Sequence, residues 1–129
     1  MKRAMRQLLL SDPAVAALVA GRVDWGARPQ GDAVPAICLS LISGGDVYHM
    51  GGLSRYVGAV VQIDVFAVDY DAADQTARVV NALLSGYRAG AFQGIFREGV
   101  RDLRSAGSND PNRLHGIAQD YKINFSNLE

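Results

Sequence analysis

From Arg55 to Val68 the chain reads RYVGAVVQIDVFAV, with an apolar residue at every odd position from Val57 to Ala67. The even positions mix Tyr56, Gly58, Val60, Gln62, Asp64 and Phe66. A period of two over this length specifies a strand with one face on a core and the other in a less apolar setting. The period then changes at once. After Asp69-Tyr70-Asp71, the residues Ala73, Thr76, Ala77, Val80, Leu83 and Leu84 recur at helical spacing, predicting a helix over Asp71 to Ser85 that Gly86 stops. Asp71 or Asp69 caps it, and Asp74 puts a negative charge in the first turn, where the helix dipole favours one. A strand joined to an amphipathic helix by so short a turn must receive that helix on its odd face. Small Ala73 and Ala77 allow a close approach.

The remaining elements arrange themselves around this pair. Leu8, Leu9, Val15, Leu18 and Val19 share a side if the chain is helical from about Lys2 to Ala20. Ser11-Asp12-Pro13 interrupts that run, with Asp12 a good cap and Pro13 suited to a first helical position, so one helix or a short bent pair is expected. Trp25 to Asp32 reads as loop. Pro35 to Ser43 reads as a strand, and Gly44-Gly45 and Gly51-Gly52 flank a flexible hairpin connection. Gly94 to Arg104 and Leu114 to Phe125 are the last two strands, separated by a loop over Ser105 to Pro111. Ile117, Tyr121, Ile123 and Phe125 occupy one face of the final strand. The expected fold is α+β: one mixed or antiparallel sheet of about four strands, with an N-terminal helix and a central helix on one face.

The 129 residues, 49% of them hydrophobic and 20% charged, match one globular domain spanning 1–129. Thirteen Lys and Arg balance thirteen Asp and Glu, so no whole-domain field favours a phosphate backbone, and sequence-independent DNA binding is not expected. Arg outnumbers Lys eleven to two, a bias toward bidentate contacts at protein interfaces. The three leucines before Ser11 are too few for a signal peptide, and no run approaches a membrane span, so a cytoplasmic, reducing setting is expected. A single cysteine excludes a disulfide framework.

No catalytic constellation assembles from these residues. Cys38 lies mid-strand between Ile37 and Leu39, where cysteine acts as a small buried hydrophobe. His49 and His115 are far apart and sit beside glycines, without metal-ligand spacing. Asp69, Asp71 and Asp74 are explained by helix capping better than by a cation. The glycine pairs neither follow a phosphate-loop pattern nor precede a helix. No cofactor and no metal is expected. Glu98 and Asp102 neutralise Arg97, Arg101 and Arg104 locally, giving a solvated strand face.

The order of segments carries more information than any one motif. It runs from LLLSDPAVAALVAGRVDWGARPQGDAVPAICLSLISGGDVYHMGG through RYVGAVVQIDVFAVDYDAADQTARVVNALL to a terminal strand ending YKINFSN. This pattern resembles the tail-completion, or tail terminator, proteins of long-tailed phages, prophages and gene transfer agents. The shared features are an opening helix ending ALVAGRV, a PQG…P loop into the first long strand, VQIDVFA followed by a Y-x-x-A helix, and a C-terminal strand. The resemblance implies a structural virion protein without enzymatic activity. It forms a ring, usually hexameric, on the head-proximal end of the tail, assembled in the host cytoplasm. Its implied partners are further copies of itself, the tail tube protein and a head-completion or connector protein, with no membrane and no sequence-specific nucleic acid. Another neck component, or a small ligand-binding or enzymatic α+β domain, remains an alternative. For subunit contacts, the loop residues Tyr48, His49 and Met50 and the charged set Arg97, Arg101, Asp69 and Asp71 are the candidates, the arginines pairing with the aspartates of the next copy.

Overall fold

The computed structural model describes residues 2–26, 34–49, 52–103 and 115–126, with 45–49, 52–57 and 126 as backbone. Helix α1 (Lys2–Ser11) and helix α2 (Pro13–Val19) form a bent pair. The Asp12 carboxylate accepts from the Val15 amide at 3.1 Å, and Pro13 takes the first position of α2, where its missing N–H costs nothing. Ala20 ends α2 at φ 48° and Gly21 follows at φ 85°, a conformation for which glycine has no steric penalty. The central helix α3 is Tyr70–Leu84, capped by Asp69, whose Oδ1 accepts from the Ala72 amide at 2.7 Å. Of the two expected caps, Asp69 serves, because only its backbone is extended while its carboxylate lies three residues ahead of an orphan amide. Asp71 stands exposed in the first turn.

The fold is α+β, with three helices and one mixed sheet of five strands among the described residues, in the order β1-β2-β3-β5-β4. β1 (Val23–Trp25) runs parallel to β2 (Ala36–His49), and β3 (Gly52–Ala67), β5 (His115–Ser126) and β4 (Phe92–Leu103) continue antiparallel. The expected count of about four strands is corrected by β1, which begins before the segment read as loop and ends inside it. Three residues carry no readable period. Trp25 is held by its own contacts instead, donating from the indole to the Lys2 carbonyl at 3.0 Å with the Lys2 ammonium 5.5 Å above its ring.

A second correction concerns the segment read as a flexible connection. β2 and β3 pair through Gly44↔Ala59 and Gly45↔Gly58 to His49↔Gly52, so Gly44 and Gly45 lie within the sheet, where Ala59 and Gly58 also pair with β5, and Gly52 lies in the two-stranded ladder beyond it. Glycine lowers strand propensity, but the ladder on either side holds these residues extended. β4 likewise begins two residues earlier than expected, at Phe92, whose ring packs edge-on against Phe125 at 5.2 Å and Tyr87 at 5.9 Å.

The helices cover one face of the sheet. Ala59, Val61, Ile63, Val65 and Ala67 of β3 are buried, as their alternation requires, together with Ile37 and Leu39 of β2 and Ile117, Tyr121 and Ile123 of β5. α3 packs over β3, β5 and β4 through Ala73, Ala77, Val80 and Leu84, while α1 lies on β1 and α2 against α3. Among the described residues the opposite face carries no helix.

Candidate assembly interface

Two polar seams cross the sheet, one beneath α3 and one on the uncovered face. Beneath α3, Gln119 is fully buried and donates from Nε2 to the Ala77 carbonyl at 3.1 Å. Its Oε1 accepts from the Tyr121 hydroxyl at 3.0 Å and from Arg97 Nη1 at 3.2 Å, and the Tyr121 proton is shared with Asn81 Oδ1 at 3.1 Å. Burial pushes the Tyr121 phenol well above its ordinary range, so it stays a neutral donor. The final strand's apolar face therefore includes a polar residue that the alternation pattern passes over. Gln119 stands between Ile117 and Tyr121 at the same period, and that spacing is the signal that locates it.

On the uncovered face, Arg101 bridges three strands. Its Nη1 pairs with Asp120 Oδ2 at 2.6 Å and its Nη2 donates to Gln62 Oε1 at 2.7 Å, while Gln62 Nε2 donates to Asp64 Oδ1 at 2.7 Å. Asp120 Oδ1 is buried with no hydrogen-bond partner. Burial raises the Asp64 carboxyl above its usual range, against the lowering effects of the Gln62 hydrogen bond and the Arg101 charge.

The interface candidates are distributed over these surfaces. Arg97 and Arg101 fall on opposite faces of the sheet. Arg97 pairs in register with Tyr121 on the helix side, whereas Arg101 lies with Gln62 and Asp120 on the open side. The bulge between Arg97 and Gly99 makes this possible, since it breaks the simple alternation of β4. Asp102, expected to neutralise its neighbouring arginines, instead accepts from the Tyr70 hydroxyl at 3.0 Å. Asp69 is engaged as a cap, and Asp71 is exposed nearby. The backbones of Tyr48 and His49 pair with Leu53 and Gly52 at the end of the arm, while Met50 lies outside the described residues.

Cys38 is buried on β2 opposite Asp64, and His115 opens β5 opposite Ala67. Among the described residues no group of three or more His, Cys, Asp or Glu could hold a metal ion, and no helix is long and apolar enough to cross a membrane. An open groove of about 620 Å³ runs between α1 and the segment before β4, past Ala4, Leu8, Tyr87 and Phe92. Its lining includes no acid, imidazole or thiol.

The arrangement thus offers charged and apolar contact surfaces on one sheet. Comparison with solved structures finds a similar chain in the virion of a native gene transfer agent (GTA) particle. The two chains are 20% identical, the match covers 93% of this chain and 90% of that one, and the TM-score is 0.66. At that identity the likeness is one of fold. No curated protein matches the chain significantly. The family described as "Tail completion protein gp17" matches residues 3–125, nearly the full length, and the chain belongs to that family.

Proposed function

We propose that this protein forms a ring on the head-proximal end of a phage-type tail tube, where it terminates tube polymerisation and presents the face that joins the filled head. The observation that carries this reading is the family match over residues 3–125, which makes the chain a structural protein of phage tails. A compact domain of 129 residues has a radius of gyration of about 14 Å, too small to cover a tube end alone, so the role calls for several copies in a repeated heterologous contact. Six copies are proposed, with the tail tube protein below and a head-completion or connector protein above. Arg97 and Asp71, on the helix-covered side, and Tyr48, His49 and Met50 are proposed contact residues. Arg97, Arg101 and Asp69 make such contacts only by exchanging the partners that they hold within the chain. Membership of a structural family speaks against catalysis.

The test is electron microscopy of particles produced with the gene deleted. Overlong or headless tails are expected, with normal length and head attachment restored by the intact gene. Tails of normal length joined to heads without this chain would overturn the reading.

A further inference from the structure

The sheet ends in two open edges that match one another. On one side β1 accompanies β2 only as far as Leu39, so among the described residues β2 from Ser40 to His49 has no strand on its outer side. On the other side the start of β4 is met by the segment before it, with Ala89 bridged to Phe92 and the Gly86 amide donating to the Ile95 carbonyl at 2.8 Å, but among the described residues β4 has no partner on its outer side from Phe96 to Leu103. The register sets these edges level with each other. Ser43 pairs with Val60, Val60 with Lys122, and Lys122 with Phe96. In the next row Leu41, Val61, Tyr121 and Arg97 align.

Both edges are bulged at this same row. β2 shifts register between Leu41 and Ser43, and β4 between Arg97 and Gly99. A bulge bends its strand and increases local twist, which is how sheets curve and close. The edges also carry unburied apolar side chains. Leu41 and Ile42 are 45% and 55% exposed on one, Phe96 and Val100 are 53% and 51% exposed on the other. Charges can guard an edge strand against pairing, but those of β4 are largely engaged within the chain: Arg97 with Gln119, Arg101 with Asp120, Asp102 with Tyr70.

Strand direction completes the match. β2, β3, β5 and β4 alternate, so β4 is antiparallel to β2. A second copy turned about an axis along the strands keeps its β2 in the same direction, and that β2 meets the first copy's β4 antiparallel. We propose that β4 of one copy pairs with the outer edge of β2, from Ser40 onward, of the next copy, joining the sheets into one closed barrel. The proposal rests on the ring reading above and specifies its contact. Closure would satisfy the free parts of both edges and cover Leu41 and Val100 on the helix-covered face, Phe96 on the open face and Ile42 at the bulge.

Cysteine pairing in assembled tails tests it. Ile42→Cys with Phe96→Cys, and separately Leu41→Cys with Val100→Cys, are introduced with the buried Cys38 left in place. Particles are then treated with a short thiol-reactive cross-linker and resolved under denaturing conditions. The double variants are expected to give a ladder of dimer, trimer and higher species, which the single variants do not. If quantitative mass spectrometry counts several copies per tail but neither pair gives a ladder, edge pairing is overturned while the ring stands. A single copy per tail, or none, overturns the ring reading and this contact with it. Should the variants fail to incorporate, cryo-electron microscopy of wild-type tails decides. A β4 strand about 4.8 Å from the neighbour's β2 is the expected result, and any other subunit contact refutes it.

Discussion

Gln119 donates its side-chain amide to the backbone carbonyl of Ala77 at 3.1 Å, tying the middle of β5 to the middle of α3. A carbonyl has two lone pairs, so this contact coexists with the helical hydrogen bond. Tyr121, Asn81 and Arg97 complete the seam, and no polar atom of Gln119 is left without a partner in a fully buried setting. The seam sets the position of the helix along the strand, a role that apolar packing performs less specifically.

Tyr121→Phe removes the hydroxyl from this seam without changing its shape. Asn81 and Gln119 each lose one bond, although Arg97 still serves Gln119. We expect a loss of about 1 kcal/mol. Thermal melting checks it, with a fall of about 4 °C expected. An unchanged midpoint would mean that the hydroxyl contributes nothing.

Val65 pairs with Ile37 on one side and Ile117 on the other, all three buried beneath the helices. Val65→Asp places a carboxylate among apolar neighbours and should cost about 4 kcal/mol, enough to unfold much of the population. Wild-type thermal stability in this variant would show that the helices do not cover the odd face of β3.

Burial raises the Asp64 carboxyl in the folded chain, so the folded state holds its proton at pH values where the unfolded chain, near the ordinary 3.8, has released it. The protonated group's favourable contribution is therefore present in acid and is lost as pH rises through the folded value. Asp64→Asn keeps an acceptor for Gln62 and cannot ionise. Denaturant titrations from pH 3 upward should show the variant gaining on the wild type as pH rises above 3.8. A difference independent of pH would contradict the assignment.

The two acidic residues at the start of α3 should separate cleanly. Asp69→Ala removes the cap and should cost about 1 kcal/mol, whereas Asp71→Ala touches only the helix dipole and should cost about 0.3 kcal/mol. Chemical denaturation of both variants provides the comparison, and equal losses would be inconsistent with Asp69 as the cap.

The arm formed by 47–49 and 52–55 extends past the last β3–β5 pair, Tyr56↔Ser126, with no third strand beside it among the described residues. Two strands without further packing are marginal in water. Hydrogen exchange of these amides is expected to slow when free protein assembles on tails. Unchanged exchange would remove the arm from the interface.

Local patterning alone determined much of this protein. The strict alternation from Val57 to Ala67, the abrupt switch to helical spacing after Asp69, and the Asp12-Pro13 cap each encode their element through contacts within a few residues or through one continuous buried face. The α+β class and the family resemblance follow from the order of those segments. Tertiary structure decided what depends on residues distant in sequence. β1 is three residues that become a strand only because β2 lies beside them. Gly44 and Gly45 are extended because β3 pairs with them. Gln119 belongs to the core because Ala77, Arg97 and Tyr121 converge on it from three elements, and Arg97 and Arg101 part to opposite faces through a bulge. Hydrogen-bond partners and bulges are set by the register between strands. That register is a relation between distant segments that neither strand's own sequence contains.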